Sequence, residues 1–306
     1  MNSADVLDQL LKALWAQYKK RVPYAAQYQN MVEQRGGKVQ NDHIAYRTIN
    51  TQMGQPAGIE AIARIFTALG YVKKGRYEFT DKKLTAWHYE FAADPEKNPK
   101  IFISQLEVDK LSPQTAMIIK ESLKGAPDLL SGEELELLNQ LRKDKTLDES
   151  RSSSLVAGLV KFFSRPWAPP LRSIVEDVNK ESQYAAWTLL HGNAVNHFTA
   201  YINHQNVAEW PDLEATVNAL KKAGLPMKDE FEGETGSKLR QSSTQAFDEE
   251  CDVREKDGSK GRLKWSYAYY ELAERGTIPG PDGKPIKFHG FLGEQATNLF
   301  EMTKRG

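Results

Sequence analysis

A single cysteine, Cys251, among 306 residues leaves no internal disulfide framework and no cysteine-based zinc motif, so any bound metal would be held by His, Asp or Glu. Charge of neither sign prevails: 41 Lys and Arg balance 41 Asp and Glu. With no long basic block, the electrostatic footprint of a nucleic-acid binder is missing. No run approaches the roughly 20 apolar residues that span a bilayer, and the opening "MNSADVLDQLLKALW" lacks the basic segment and small-residue cleavage site of a signal peptide. These absences lead us to expect a cytoplasmic protein with neither nucleic-acid nor membrane partners. P-loop, nucleophile elbow and dinucleotide fingerprint are missing too.

What is present reads as alternating periodicities. Val6, Leu10, Leu11, Leu14 and Trp15 recur at helical spacing, which predicts an N-terminal helical cap over residues 1–41 that ends near Gly36-Gly37. The text then changes to a strand at "DHIAYRTIN", a helix at "GIEAIARIFTALGY", a hairpin from "RYEFT" to "LTAWHYEF", and a strand at "KIFISQLEV". This gives a β-α-β-β-β unit over 42–109. Residues 110–190 read as a helical insertion. Ser112 with Pro113 opens one helix, and Ser131 with Glu134 opens another in capping-box spacing. The polar stretch "LDESRSSSLVAG" reads as loop.

From 191 to 275 the first theme returns: the strand "VNHFTAYIN", the helix "DLEATVNALKKAGL", the run "SKLRQSSTQAFDEECDV" and the strand "LKWSYAYYELAERG". The register is countable. His43 precedes Gly70 by the same interval as His197 precedes Gly224, and in that register Ile59 matches Leu213 and Phe66 matches Leu220. The expected fold is α+β, two paired β-α-β-β-β modules curling around a common cleft. A turn-rich C-terminal loop and helix follow over 276–306.

Alternation along a strand puts His43, Ala45 and Arg47 on one face, and His197, Thr199 and Tyr201 on one face of its counterpart. Two equivalent histidines thus begin two equivalent strands. Glu271, in an otherwise apolar and aromatic strand, needs a partner or a cation to offset its desolvation. Two histidines and a carboxylate make the facial set that leaves coordination positions open, so His43, His197 and Glu271 are the candidate metal ligands. The competing readings are buried structural histidines and a Glu271–Arg275 ion pair. In the first module the matching last-strand position falls near Gln105. Arg47 lies roughly 13 Å along the strand from His43, where its guanidinium could receive the far carboxylate of a small diacid or pair with Asp42 or Glu107. In "LRQSSTQAF", Gln241 and Ser243 share a face and offer donors to a substrate.

Together, "HIAYR", "NHFTAYIN", "LRQSST", "YYELAERG" and the tail "FHGFLGEQATNLFEMT" resemble the 2-oxoadipate dioxygenase/decarboxylase family. That resemblance implies a fold similar to the vicinal-oxygen-chelate, glyoxalase-like proteins. It implies Fe(II) on His43, His197 and Glu271, with Arg47 selecting the substrate. It also implies a 2-oxo acid and O2 as co-substrates, with 2-oxoadipate giving 2-hydroxyglutarate and CO2. Two other functions use the same residues: a glyoxalase-like metal-dependent isomerase or hydrolase, and a non-catalytic binder of small acids.

Overall fold

The computed structural model describes residues 1–50, 57–144 and 146–292; of the C-terminal segment 276–306, expected to hold a loop and a helix, residues 293–306 lie outside them. Two helices lead, α1 (Ser3–Arg21) and α2 (Pro23–Glu33). The first module follows as β1 (Asn41–Asn50), α3 (Gly58–Ala68), β2 (Tyr71–Phe79), β3 (Leu84–Phe91) and β4 (Lys100–Glu107). Five helices are inserted next: α4 (Pro113–Leu123), α5 (Gly132–Asp144), α6 (Glu149–Phe162), α7 (Arg172–Glu181) and α8 (Gln183–His191). The second module comprises β5 (Val195–Tyr201), α9 (Leu213–Lys222), β6 (Leu239–Ser243), β7 (Phe247–Arg254), β8 (Lys260–Ala268) and β9 (Glu271–Arg275), and the short strands β10 (Thr277–Pro279) and β11 (Pro285–Lys287) close the described chain.

Both modules join in one seven-stranded sheet ordered β2-β3-β4-β1-β5-β9-β6, with β1 and β5 antiparallel at its centre. The repeat predicted by counting is present in three dimensions. Gly70 and Gly224 both end their helices with positive φ, at 102° and 86°, a region that favours glycine. Ile59, Phe66, Leu213 and Leu220 are all buried. The modules differ after their helices. In the second, residues 227–232 run antiparallel beside β6 through the Met227–Thr244 and Glu232–Gln241 bridges, taking the edge place that β2 holds in the first. The β7–β8 hairpin forms a sheet of its own.

Two expectations are corrected here. "LKWSYAYYELAERG" is not one strand: β8 pairs with β7, β9 pairs with β5 and β6, and the chain changes partners at Tyr269–Tyr270. "LDESRSSSLVAG" is not loop but the start of α6, because the Asp148 side chain accepts the Arg151 N–H and caps it, while Leu155, Leu159 and Phe162 supply a buried face.

Apolar residues divide between the two faces of the sheet. Ile44 and Tyr46 of β1 join α1, α3 and α6 in one core, where Tyr46 packs against Phe66 and Phe163. Ala45 and Ile49 join α4, α7 and α8 in the other. The inserted helices therefore cover both faces, and α8 closes the cleft side of β1.

Candidate metal centre

Each of the two central strands carries an extra residue directly before its histidine. In the β1–β5 ladder, Asn41 faces Ala200 and His43 faces Thr199, so Asp42 is bulged; Ala45 faces His197 and Tyr46 faces Val195, so Asn196 is bulged. A bulge re-aims side chains and breaks strict alternation. Asp42 and Asn196 can therefore reach the histidines that follow them: His43 Nδ1 lies 2.8 Å from Asp42 Oδ1, and His197 Nδ1 lies 3.0 Å from Asn196 Oδ1. Both contacts present the opposite ring nitrogen, Nε2, to the cleft.

The carboxylate arrives on β9, which pairs in parallel with β5 so that Glu271 stands beside Thr199. Glu271 Oε2 is 2.9 Å from His197 Nε2 and 3.4 Å from His43 Nε2. The Thr199 hydroxyl donates to Oε2 over 3.0 Å and lies 3.0 Å from His43 Nε2. Gln241 Nε2 donates to Oε1. Ligand atoms of His43, His197 and Glu271 all fall within 4.8 Å of one another, and all three residues are buried. Although 2.9 Å from a carboxylate oxygen, the buried His197 Nε2 makes no hydrogen bond. A buried ring nitrogen beside a carboxylate but unbonded suits a shared cation, and two imidazoles with one carboxylate fit a divalent first-row metal.

The electrostatics agree. Burial by itself would raise the Glu271 pKa, but attraction from His197 and then His43 holds it down to about 2. Burial works against a charged His43, yet hydrogen bonds to Asp42 and Glu271 outweigh it and raise its pKa. For His197 burial prevails and the pKa falls. The carboxylate is thus ionised across the physiological range.

His43, His197, Arg47 and Gln241 line one cleft, together with Phe102 and Phe291. Arg47 is 2% exposed, and its guanidinium lies 5.2 Å from the ring centres of both Tyr184 and Trp187 on α8. Burial lowers its pKa, with Tyr269 and Tyr184 opposing. The acids that spacing offered it are engaged elsewhere, Asp42 with Arg275 and Glu107 with Gln105. Ser243 is buried opposite Glu271 in the β6–β9 register but is not among the residues lining the cleft. The counterpart of Glu271 is not Gln105. Ala45, the partner of Thr199 in the repeat, faces Phe102 on β4, and the Gln105 side-chain Oε1 instead accepts the Ile59 N–H at the start of α3. The β7–β8 insertion breaks the simple register between the two last strands. With phenylalanine at the matching place, the first module contributes no carboxylate to the cleft.

A family model for 2-oxoadipate dioxygenase/decarboxylase matches residues 10–301. The chain belongs to the 2-oxoadipate dioxygenase/decarboxylase family. A rice (Oryza sativa subsp. japonica) relative named 2-oxoadipate dioxygenase/decarboxylase, chloroplastic/amyloplastic, is 30% identical over 286 residues, covering 88% of this chain and 70% of its own. Among solved structures, a protein assigned to the glyoxalase superfamily from Ralstonia eutropha superposes with a TM-score of 0.85 at 26% identity, over 95% of this chain and 87% of that one. The rice hydroxyglutarate synthase in complex with 2-oxoadipate superposes with a TM-score of 0.75 at 24% identity, over 98% and 93%. The expected α+β, glyoxalase-like architecture is therefore the family's fold.

In this member of the 2-oxoadipate dioxygenase/decarboxylase family, four further residues surround the candidate metal-binding set: Asp42, Asn196, Arg275 and Phe291, of which Asp42 and Arg275 were named from sequence only as ion-pair partners of Arg47 and Glu271. The first two had a readable signal, because "DH" and "NH" occupy the same place in the two repeats. Arg275 and Phe291 had none, since their contacts depend on where the chain after β9 returns. Among the described residues no helix is long and apolar enough to cross a membrane.

Proposed function

We propose that this protein is an Fe(II)-dependent dioxygenase that decarboxylates a 2-oxo diacid, converting 2-oxoadipate and O2 to 2-hydroxyglutarate and CO2. The observation that carries the reading is the convergence of His43, His197 and Glu271, drawn from both modules, on one point beside a cleft that the two histidines line together with Arg47. Family membership supports the reaction class, and the rice relative bears that activity in its name.

His43, His197 and Glu271 would hold the iron. When bound, Fe(II) supplies open positions for the 2-oxo acid and O2 and the redox chemistry that joins them. The chain's own contribution is orientation and exclusion of water. Gln241 holds Oε1 of Glu271 and so turns Oε2 toward the imidazoles. Phe102 and Phe291 furnish an apolar wall. Arg47 receives the far carboxylate and fixes which carbon lies at the reacting end, a positioning effect.

An aerobic assay of iron-loaded protein with 2-oxoadipate tests the reading: O2 consumption should match CO2 and 2-hydroxyglutarate formation one to one, and turnover in strictly anaerobic buffer would refute it. Arg47→Ala should cost about 10- to 100-fold in kcat/KM for the diacid, the worth of one charge-assisted contact. Monoacid analogues should lose little. A diacid preference undiminished in that variant would contradict the role given to Arg47.

A further inference from the structure

Arg275 ends β9, and its guanidinium divides between two separate pieces of chain. Nε and Nη2 donate to the two oxygens of Asp42, the latter over 2.8 Å, whereas Nη1 donates to the carbonyls of Phe288 at 3.0 Å and Gly290 at 2.8 Å. Asp42 in turn binds His43 Nδ1. The strap 288–292 thus connects to His43 through two polar links.

A second attachment lies on the first module. Phe291 N–H donates to the Tyr77 hydroxyl over 3.1 Å. His88 Nδ1 accepts from Gly75 N–H at 3.2 Å and lies 2.9 Å from that same hydroxyl. Because Nδ1 is accepting, the tyrosine proton points to it, and His88 Nε2–H is left to donate to Glu90 at 3.2 Å. The hydroxyl oxygen is thereby turned toward the strap as an acceptor. Between the two attachments the Phe291 ring meets His43 edge-on, centres 4.9 Å apart at 86°, and packs on Phe102 at 4.9 Å.

We propose that Asp42 and Arg275 are positioning residues that couple the orientation of the His43 imidazole to the seating of the 288–292 strap over the cleft, so that metal affinity and strap closure rise and fall together. This rests on His43 being a metal ligand. Asp42 and Arg275 are both fully buried, so neither can release the other without stranding a charge. The strap, the ion pair and the imidazole accordingly move as one unit. Coupling of this kind is reciprocal: what loosens the strap must weaken the metal site, and the reverse.

Two readouts on the full chain test it, Co(II) affinity by titration calorimetry and hydrogen exchange at the Phe291 amide. Asp42→Asn, a change on the imidazole side, should speed exchange at Phe291 about tenfold or more. Tyr77→Phe, a change on the strap side that strands no charge, should weaken Co(II) binding about fivefold or more. Arg275→Lys keeps the charge but loses the fork, and should do both; it carries the test if Asp42→Asn does not fold. Wild-type exchange at Phe291 in Asp42→Asn, or wild-type Co(II) affinity in Tyr77→Phe, overturns the coupling. Failure of the metal reading looks different. Wild-type protein would then bind Co(II) no better than His197→Ala, while the Phe291 exchange in Asp42→Asn would still decide whether the ion pair holds the strap.

Discussion

Two side-chain clusters in this molecule, one fully and one largely buried, have nearly the same ingredients. His43, His197 and Glu271 lie at the centre of the sheet, whereas His191, Glu249 and Cys251 lie where α8 meets β7, and each set brings its ligand atoms within 4.8 Å. The difference is in who supplies the positive charge. At the second cluster Arg21 donates through both Nε and Nη2 to the two oxygens of Glu249, so a guanidinium already occupies the place a cation would take. Arg165 adds a second nearby positive charge, felt by both His191 and Cys251. Among the described residues, the contacts of the Glu271 carboxylate in the first cluster include no arginine, and the charge of Arg47 acts on His197 instead. The Glu271 oxygens are met by Gln241, Thr199 and the imidazoles, all of which can yield to or support a metal. Composition finds both clusters, and charge accounting separates them.

The largest test of that separation is metal uptake. His197→Ala should lower Co(II) or Fe(II) affinity by on the order of a hundredfold or more, while His191→Ala should leave metal stoichiometry and affinity unchanged. Dialysis followed by elemental analysis reads both. Next comes stability. Arg21→Met strands the half-buried Glu249 carboxylate and should cost about 3 kcal/mol in denaturant unfolding, with metal affinity retained.

A smaller effect appears in the pH dependence. Burial lowers the His191 pKa to about 4 although Glu249 opposes it. The unfolded chain therefore takes up that proton near the ordinary imidazole value of about 6.5, before the folded chain does. Stability should consequently decline as pH falls from about 6.5 toward 4, by about 1–3 kcal/mol, and His191→Gln should flatten that limb. Smallest is Cys251→Ser. Burial pushes the Cys251 thiol up to about 12, so without a metal it stays protonated at neutral pH, and the substitution should change metal affinity by less than about twofold.

The same contrast shows what could be read before any coordinates. The repeat was countable because Gly70 and Gly224 each end a helix in a conformation that favours glycine, and because the two helices bury matching positions. From the repeat followed the pairing of His43 with His197, and from the desolvation of Glu271 the third member of the set. The position matching Glu271 was misread, because the β7–β8 hairpin shifts the second module's last strand relative to the first and hides Phe102 behind Gln105. Strand alternation also hid Asp42 and Asn196, since only a bulge lets consecutive residues face the same way. Gln241 shares a face with Ser243 as expected, yet its amide is directed at the carboxylate of Glu271. Side-chain direction of that kind is set by neighbours on other strands, which local periodicity does not encode.

Anomalous diffraction from crystals grown with Co(II) tests the central claim most directly. A single strong peak should lie about 2.0–2.2 Å from His43 Nε2, His197 Nε2 and one oxygen of Glu271. A peak beside His191 and Cys251, or no peak between the two central strands, would contradict it.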